Sequence, residues 1–296
     1  MNDPVPSFPH FRKLALADRE LFETYFSEHP PETSEYTFTN FYIWRNCDMS
    51  QVTSVNGNIC VVAKTANEPP YFFEPLGSHR MESTAMTCLS HIPRFSRVSE
   101  KFAKAHFEGK SAFKIEPVRD NFDYLYEREG LVMLKGKRYD GKRNRIRRFL
   151  KHNIPIYQEL TEDLIPDCLK LLNNWGKRKI AGACFDEPIK EALSDLSGLN
   201  VKGAVIKVNG KVEAFTIGEN LNSDTAVIYI EVANPDIDGL SQYINQQFCR
   251  NEWDGVTYVN REQDMGDAGL RRAKLSYHPF KMINKYDVTI VDEHKL

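Results

Sequence analysis

The chain has 296 residues, of which 41% are hydrophobic and 11% are aromatic, so a disordered chain is excluded and two packed lobes are expected. The formal net charge is -2 at pH 7, so the chain as a whole does not attract nucleic acid or an anionic membrane, and charge arguments must be local. The first residues lack the basic and apolar parts of a signal peptide, and no apolar run approaches the ~20 residues of a membrane helix. We therefore expect a cytoplasmic protein.

The first half of the chain predicts a lobe of short strands with flanking helices. Asp18 precedes a helix that we expect to run to about His29, and a second helix is expected over 36–44. Asn56-Gly57 separates two β-branched runs, at 51–55 and 59–64, which is a strong hairpin signal. A helix from 77 to about 91 and strands at 71–74, 113–117 and 131–134 complete the expected lobe.

The second half repeats this order. Asn209-Gly210 separates strands at 204–208 and 211–219, and the tripeptide Val-Asn-Gly occurs both at 55–57 and at 208–210. Its equivalent place in two similar element orders indicates a duplication. Further strands are expected at 156–160, 226–232, 256–259 and 286–291, and helices at 164–179, 187–196, 239–253 and 267–275. The predicted domains are residues 1–134 and 154–296, joined by a connecting helix over 135–153.

That connecting segment is strongly basic. Residues 135–151 hold nine Lys or Arg and one acid, Asp140, and we expect a helix that buries Ile146, Phe149 and Leu150. One interpretation is a solvated connector, and the other is a strip that binds phosphates, either of RNA or of a phosphorylated small molecule. A spacing of four would place three of the candidate cations on one solvent-exposed face. The binding candidates are Lys142, Arg143, Arg147 and Lys151.

Several motifs together resemble the phosphatidylglycerol lysyltransferase C-terminal domain family. They are Ser34-Glu-Tyr-Thr-Phe-Thr-Asn40 with Trp44, Asp123-Tyr-Leu-Tyr126, Gly141-Lys-Arg-Asn144, Asn260-Arg-Glu-Gln-Asp-Met-Gly266 and Gly269-Leu-Arg-Arg-Ala-Lys274. The resemblance covers nearly the whole chain and is shared with the Fem-type aminoacyltransferases. It implies an α/β (α+β) class with a tandem, duplicated GNAT-like acyl-CoA N-acyltransferase fold, that is, two mixed sheets flanked by helices.

The resemblance also implies a reaction, in which an aminoacyl group passes from charged tRNA to an amine or hydroxyl. Family members that act on lipid carry a multi-helix membrane segment, which this sequence lacks, so the acceptor is left open between a small molecule and a lipid. No cofactor is expected. Acetyl-CoA or another acyl-CoA is disfavoured because the turn 233–241 is acidic and has one glycine, whereas diphosphate binding favours glycine-rich turns. Without CxxC or HExxH motifs, no metal site is predicted.

In a GNAT lobe the reacting groups lie where the fourth and fifth strands separate. Here Glu231 ends one such strand and Asn260 ends the next, with Arg261 following directly. A carboxylate that ends an apolar strand is either paired or functional, and the two interpretations stay open; the expected pair is with Arg261 or with Arg271. On the next helix, Arg271 could stabilise an oxyanion or pair with Asp267. The catalytic candidates are Glu231, Asn260, Arg261, Arg271 and Lys274.

Three functions therefore remain open on one fold. The first is an aminoacyltransferase that uses charged tRNA. The second is a conventional CoA-dependent N-acyltransferase, and the third is a non-catalytic protein that binds RNA or another ligand. Tight binding of acetyl-CoA would favour the second function. A Glu231 side chain that faces solvent would favour the third.

Overall fold

The computed structural model describes residues 4–65, 68–176 and 186–291. Two mixed sheets with helices against them account for most of these residues, as the sequence predicts. In chain order the strands are β1 (Arg12–Lys13), β2 (Gln51–Val55), β3 (Asn58–Ala63), β4 (Tyr71–Phe72), β5 (Arg94–Ser99), β6 (Phe113–Pro117), β7 (Asp123–Glu127), β8 (Ile156–Glu159), β9 (Lys202–Val208), β10 (Lys211–Asn220), β11 (Thr225–Ala233), β12 (Tyr258–Asn260), β13 (Lys281–Ile283) and β14 (Lys285–Ile290).

The helices follow the apolar stripes and capping residues of the sequence. Thr37 and Ser99, for example, each accept a hydrogen bond from a backbone N–H of the first turn that follows. In chain order the helices are α1 (Arg19–Glu28), α2 (Phe38–Trp44), α3 (Met81–His91), α4 (Glu100–Phe107), α5 (Arg128–Met133), α6 (Asp140–His152), α7 (Ile165–Gly176), α8 (Asp186–Ser194), α9 (Leu240–Asn251) and α10 (Ala268–Leu275).

The chain divides into two compact units, and each takes more than one stretch of sequence. The first unit comprises the described residues up to Asp123, Gln263–Asp267 and the described residues from Ile283 onward; the second comprises Tyr124–Glu262 and Ala268–Met282. This differs from the linear division expected at 135–153. The basic helix α6 belongs to the second unit and is not a separate connector, because its buried residues Ile146 and Phe149 pack into second-unit cores.

The first unit is built on a sheet of order β1-β2-β3-β4-β5-β14-β6. The predicted Asn56-Gly57 hairpin joins β2 and β3, from Gln51↔Val62 to Val55↔Asn58. β4 and β5 are parallel, and the other pairs are antiparallel. Apolar residues of this sheet, α3 and α4 form one core, in which Val288 of β14 is fully buried.

A buried ammonium ties three segments of the first unit together. Lys285 Nζ donates to Glu35 Oε1 at 2.6 Å and to Asp123 Oδ1 at 2.6 Å. Ser34 donates to Asp123 through both its backbone N–H, at 2.8 Å, and its hydroxyl, at 2.9 Å. Burial raises the pKa of Glu35, whereas the Lys285 ammonium lowers it. Ser34, Glu35 and Asp123 lie in the motifs that carry the family resemblance, so part of that pattern encodes this buried cluster.

The second unit is built on a sheet of order β13-β7-β12-β11-β10-β9-β8. Its predicted hairpin pairs β9 with β10, starting at Lys211↔Val208. β11 and β12 are parallel over three pairs, from Thr225↔Tyr258 to Val227↔Asn260. The remaining registered pairs, β8 with β9, β10 with β11, and β12 with β7, are antiparallel.

Two predictions about individual elements are wrong. Residues 131–134 do not form a strand, because Leu131 and Val132 are buried on one side of the short helix α5, whose C-cap residue Leu134 has a φ of 48°. Leu150 is not buried by α6, since 45% of it is exposed while Ile146 and Phe149 are covered. The predicted helix over 164–179 is described only as far as Gly176, and its last residues lie outside the described part of the chain.

Candidate active site

The candidate site lies in the second unit, where two parallel strands separate. The ladder between β11 and β12 ends at Val227↔Asn260, but β11 continues to Ala233. Residues of β11 beyond Val227 therefore lack a β12 partner on that edge, which leaves an opening beside Glu231. This is the splayed arrangement expected from the family resemblance, and it places a carboxylate at the edge of the opening.

Glu231 is engaged by two side chains. Arg261 Nη2 lies 3.2 Å from both carboxylate oxygens, and Asn245 Nδ2 donates to Oε2 at 2.9 Å. The side chains of Glu231 and Arg261 are 18% and 14% exposed, so this ion pair is largely shielded from water. Of the two ion pairs expected from the sequence, the one with Arg261 is present. Glu231 is thus held as an acceptor and does not face solvent freely.

Arg261 has a second group that points to ligand binding. Its other terminal nitrogen, Nη1, is buried and makes no hydrogen bond within the described residues. The guanidinium carbon lies 4.9 Å from the ring centroid of Tyr277 and 5.8 Å from that of Tyr126. Burial acts to lower the pKa of Arg261, but the facing Glu231 carboxylate raises it, and the net shift is upward. A permanent cation with an unused donor can receive an oxygen that carries developing negative charge.

The aromatic residues of the site are neutral phenols. Burial raises the pKa of Tyr126 and of Tyr277 well above their ordinary value. The Tyr126 hydroxyl donates to the Lys274 carbonyl at 2.8 Å, and the Tyr139 hydroxyl donates to the Tyr277 carbonyl at 3.0 Å. The rings therefore supply fixed faces against which cations pack.

Lys142, which the sequence suggests for phosphate binding at the surface, lies instead beside Tyr277. Its Nζ is 4.0 Å from the Tyr277 ring centroid and 2.6 Å from Ser276 Oγ. Burial, followed by the nearby charges of Arg261 and Arg145, lowers the pKa of Lys142 to about 8, while Glu231 acts in the opposite direction. Lys142 therefore belongs to the same charged cluster as Glu231 and Arg261.

Asn260 and Lys274, both predicted as catalytic, shape the turn that carries Arg261. Asn260 is fully buried, and its Oδ1 accepts a hydrogen bond from Glu262 N at 2.8 Å. Lys274 Nζ donates to the carbonyls of Arg261 and Glu262, the latter at 3.1 Å. Since Glu262 has a φ of 54°, these bonds hold a turn that few side chains adopt readily. Both residues position Arg261, and their polar groups point to the backbone of that turn.

Arg271 is half-buried on α10 and is not a partner of Glu231 within the described residues. The expected convergence therefore includes Glu231 and Arg261 directly, with Asn260 acting through the turn. The ion pair that Glu231 makes is with Arg261.

The basic helix α6 does not present its cations as one uniform face. Arg143 donates to the carbonyls of Leu134 and Gly136 and pairs with Asp140, so it fastens the end of α5 and is not a free surface cation. Arg147 and Lys151 are exposed, as expected. The predicted face of Arg143, Arg147 and Lys151 is thus reduced to its last two members.

Sequence reasoning missed Asn245. A signal for Asn245 exists, because it is a polar residue among Leu240, Ile244 and Phe248, which are buried on the same helix, α9. An amide on an apolar helix face must find a partner, and here that partner is Glu231. The clustering of Lys142 with Tyr277 has no comparable sequence signal, because it depends on how α6 packs within the unit.

The equivalent opening of the first unit is closed by its own side chains. β4 and β5 are parallel at Phe72↔Phe95, and just beyond that pair Glu74 Oε2 accepts from Ser99 N at 2.9 Å and from Ser99 Oγ at 2.8 Å. The Tyr36 hydroxyl accepts from Glu74 N at 3.0 Å. These groups satisfy one another, which favours the second unit as the functional one.

Comparisons with known proteins agree with this architecture. Residues 26–289 match the family model described as phosphatidylglycerol lysyltransferase, C-terminal. A curated relative, an uncharacterized protein of Mycoplasmoides gallisepticum, is 25% identical over 191 residues. That match covers 62% of this chain and 61% of the relative, so the chain spans somewhat under two thirds of that protein's length.

Solved structures share the fold over nearly the whole chain. A conserved protein of unknown function from Bacteroides thetaiotaomicron superimposes with a TM-score of 0.82 at 27% identity, covering 95% of this chain and 99% of that one. The structure of L-PGS from Bacillus licheniformis gives a TM-score of 0.67 at 13% identity, over 98% and 95% of the two chains. FemX gives 0.57 at 8% identity, over 94% and 96%. The fold is therefore a tandem GNAT-like fold of two mixed sheets flanked by helices, as the resemblance implied.

Proposed function

The chain belongs to the phosphatidylglycerol lysyltransferase C-terminal family, and from that membership and the geometry of the second unit we propose that it transfers an aminoacyl group from charged tRNA to an amine or hydroxyl acceptor. Membership of the lysyltransferase family supports a transferase. The donor, the acceptor and the cytoplasmic location are parts of the proposal.

The observation that carries the proposal is the Glu231–Arg261 pair in the strand opening, with a donor of Arg261 left over. In the reaction the acceptor nitrogen or oxygen attacks the ester carbonyl, a bond to carbon forms, and the ester bond to the ribose oxygen breaks. Arg261 Nη1 would stabilise the oxyanion of the tetrahedral intermediate. Glu231 would bind the ammonium group of the aminoacyl donor, which an anionic carboxylate in a shielded site attracts strongly.

The geometry of α9 supports a donor other than acyl-CoA. A CoA-dependent enzyme of this fold would use the backbone N–H groups at the start of α9 to bind diphosphate. In this protein a Cβ atom placed on Gly239, at that helix start, would lie 2.3 Å from the carbonyl oxygen of Arg145, so α6 closely covers the position. The adjacent Asp238 adds negative charge and pairs with Arg148 at 3.0 Å. A diphosphate would meet both obstacles.

The exposed part of α6 suits the polyanionic donor. Arg147 and Lys151 are exposed, and Arg145 and Arg148 are also largely open to solvent at 56% and 62%. Contacts between such cations and tRNA phosphates would make binding strongly dependent on salt. In the described residues no helix has the length and apolar character that a membrane crossing requires.

The test is loss of aminoacyl ester from a charged tRNA pool, measured with and without protein, in the presence of a small-molecule extract or of phosphatidylglycerol vesicles as acceptor. Glu231→Gln keeps the shape of the side chain but removes its charge. We expect the variant to fold and to lose about 10²–10³-fold in kcat/KM, because the donor's ammonium group loses its charged partner and such a desolvated charge pair is worth on the order of 2–5 kcal/mol.

Glu213→Gln is the matched control. Glu213 is a carboxylate on the neighbouring strand β10, and it also accepts from an asparagine side chain, that of Asn234, at 2.7 Å. Its substitution should leave the rate unchanged. The proposal fails if wild-type protein does not release any aminoacyl group in a tRNA-dependent manner, or if Glu231→Gln is as active as Glu213→Gln.

A further inference from the structure

Lys142 differs from the other cations of α6 in where it lies. It is the third residue of the helix and is half-buried, while Arg145, Arg147 and Lys151 are exposed. Its Nζ faces Ser276 and the ring of Tyr277, which follow α10. The charged groups that act on it are Arg261 after β12, Glu231 on β11 and Arg145 on its own helix. It thus shares the Tyr277 ring with Arg261, whose guanidinium carbon lies 4.9 Å from the same centroid.

The hydrogen bond to Ser276 fixes the orientation of the amine. Ser276 Oγ donates its single hydrogen to the Ala273 carbonyl at 2.6 Å, so at the 2.6 Å contact with Lys142 it must accept. One N–H of Lys142 is therefore committed to Ser276. When Lys142 is neutral, its lone pair is not used by this bond and remains available to a proton donor.

The surroundings of Lys142 favour loss of its proton. The first turn of a helix carries partial positive charge, which disfavours a cation there. Partial burial disfavours the charged form further, and Arg261 and Arg145 add repulsion. Together these effects bring the pKa of Lys142 down to about 8. Contact with the face of Tyr277 opposes them, so both protonation states are accessible near neutral pH.

Glu231 is less suited to accept a proton in the resting site. Its Oε2 already accepts from Asn245, and both of its oxygens lie 3.2 Å from the Arg261 guanidinium. Both oxygens are therefore occupied by donors, and a proton that arrives there would displace one of these contacts. The transfer nevertheless releases a proton from the attacking group, which must be accepted within the site.

We propose that Lys142 is the proton acceptor of the transfer, an inference that rests on the proposed function. The neutral amine takes the proton from the attacking amine or hydroxyl as the bond to the carbonyl carbon forms. When the ester bond breaks, the resulting ammonium returns that proton to the departing ribose oxygen. Proton and charge balance without any further reactant, and Arg261 holds the oxyanion between the two steps.

The first test measures the protonation of Lys142 directly. The whole protein is treated at low conversion with acetic anhydride across a series of pH values, and acetylation at each lysine is quantified by mass spectrometry. Only the neutral amine reacts, so the midpoint reports its titration. We expect a midpoint near pH 8 for Lys142, and Lys190, an exposed lysine on α8, is the reference in the same digest. A midpoint equal to that of Lys190, or no reaction at any pH, overturns the inference.

The second test uses turnover of charged tRNA. In wild-type protein the rate should rise with pH, with a midpoint near pH 8, and level off above it, because the neutral amine is the active form. Lys142→Arg keeps a cation that cannot lose its proton, and should reduce the rate about 10²–10⁴-fold while binding charged tRNA as before. Lys190→Arg is the control and should behave as wild type.

The two tests separate the inference from the proposed function. If wild-type protein consumes charged tRNA but Lys142 titrates with the same midpoint as Lys190, Lys142 is not the proton acceptor. The same conclusion follows if Lys142→Arg keeps the wild-type rate. In both cases the proposed aminoacyl transfer is unaffected. If no charged tRNA is consumed by wild-type protein, the proposed function is wrong whatever the labelling shows, and the proton-acceptor role is wrong with it.

Discussion

The cluster around Lys285 puts three ionisable side chains in a place that water does not reach. The side chains of Lys285 and Asp123 are fully buried, and that of Glu35 is 5% exposed. Removing one charged side chain from this cluster should lower the free energy of unfolding, because the charged partners that remain are neither solvated nor paired. Since a single ammonium faces two carboxylates, its removal should affect stability more than most single substitutions.

Lys285→Met tests this at the residue scale. We expect the free energy of unfolding to fall by about 3–5 kcal/mol at pH 7. The loss should shrink as the pH is lowered, because burial raises the pKa of Glu35 and protonation of that carboxyl removes one of the uncompensated charges. Chemical denaturation at pH 7 and pH 5 measures both effects.

Lys114→Met is the matched control for that experiment. Lys114 lies on the adjacent strand β6 of the same sheet, and its ion pair with Glu116 is more than half exposed on both sides. Surface pairs of this kind contribute little, so the change should stay within about 0.5 kcal/mol. A similar, small loss for both variants would mean that the buried cluster does not stabilise the unit.

The site illustrates which residues a sequence can predict. Glu231 and Arg261 could be predicted from the sequence, because a carboxylate at the end of an apolar strand needs a partner and an arginine follows the next strand. Asn260 and Lys274 were identified as residues of the site, but sequence could not distinguish a group that contacts substrate from one that fixes a turn. Lys142 was assigned to phosphate binding with other cations of the basic helix, since the orientation of such a helix depends on packing that its own composition does not encode.

At the scale of elements, the predictions that failed share a physical cause. Residues 131–134 form a short apolar run, and such a run fits a strand or a buried helical turn equally well. In the structure these residues form a helical turn, and Arg143 donates to the carbonyls of Leu134 and Gly136 just after it. The strand β5 was missed because four of its six residues are polar, namely Arg94, Ser96, Arg97 and Ser99. The two Asn-Gly hairpins were predictable, since their signal is local.

The contact between α6 and the start of α9 gives a prediction at this scale. Gly239 has a φ of 87°, and a Cβ there would meet the Arg145 carbonyl at 2.3 Å and the Phe149 Cβ at 3.0 Å. A backbone carbonyl cannot move aside as a flexible side chain can. Gly239→Ala should therefore destabilise the second unit by about 1–3 kcal/mol, measured by thermal or chemical unfolding.

Gly141→Ala, on α6 itself, should have the opposite effect. Nothing lies within 4 Å of a Cβ at that position, and alanine is the better helix former, so a gain of about 0.5–1 kcal/mol is expected. Equal stability of the two variants would show that α6 does not pack closely against the start of α9.

At the scale of the whole molecule, the two sheets are interleaved along the chain. β14, the last strand, lies between β5 and β6 in the first unit, and β7, from the first half, lies between β13 and β12 in the second. The repeated order of elements predicts two similar lobes, and the tandem fold agrees with it. The placement of β14 in the first sheet and β7 in the second was not predictable. The apolar pattern of a segment predicts a strand, but it does not indicate which sheet the strand joins.

This interleaving predicts that neither linear half of the chain folds alone. A fragment of residues 1–134 lacks β14, so β5 and β6 would lose the strand that pairs with both, through Tyr286↔Val98 on one side and Val288↔Ile115 on the other. The same fragment lacks Lys285, which leaves Glu35 and Asp123 buried without their cation. A fragment of residues 135–296 lacks β7, and β12 would lose its pairing from Tyr258↔Glu127 to Asn260↔Leu125.

Because a missing interior strand exposes the apolar core on both sides, we expect each fragment to give a non-cooperative thermal transition by circular dichroism and poorly dispersed amide signals by NMR. Co-expression of the two fragments should restore a cooperative transition, since every strand is then present. A sharp, reversible transition for the isolated 1–134 fragment would contradict the interleaved arrangement and would favour the linear division at 135–153.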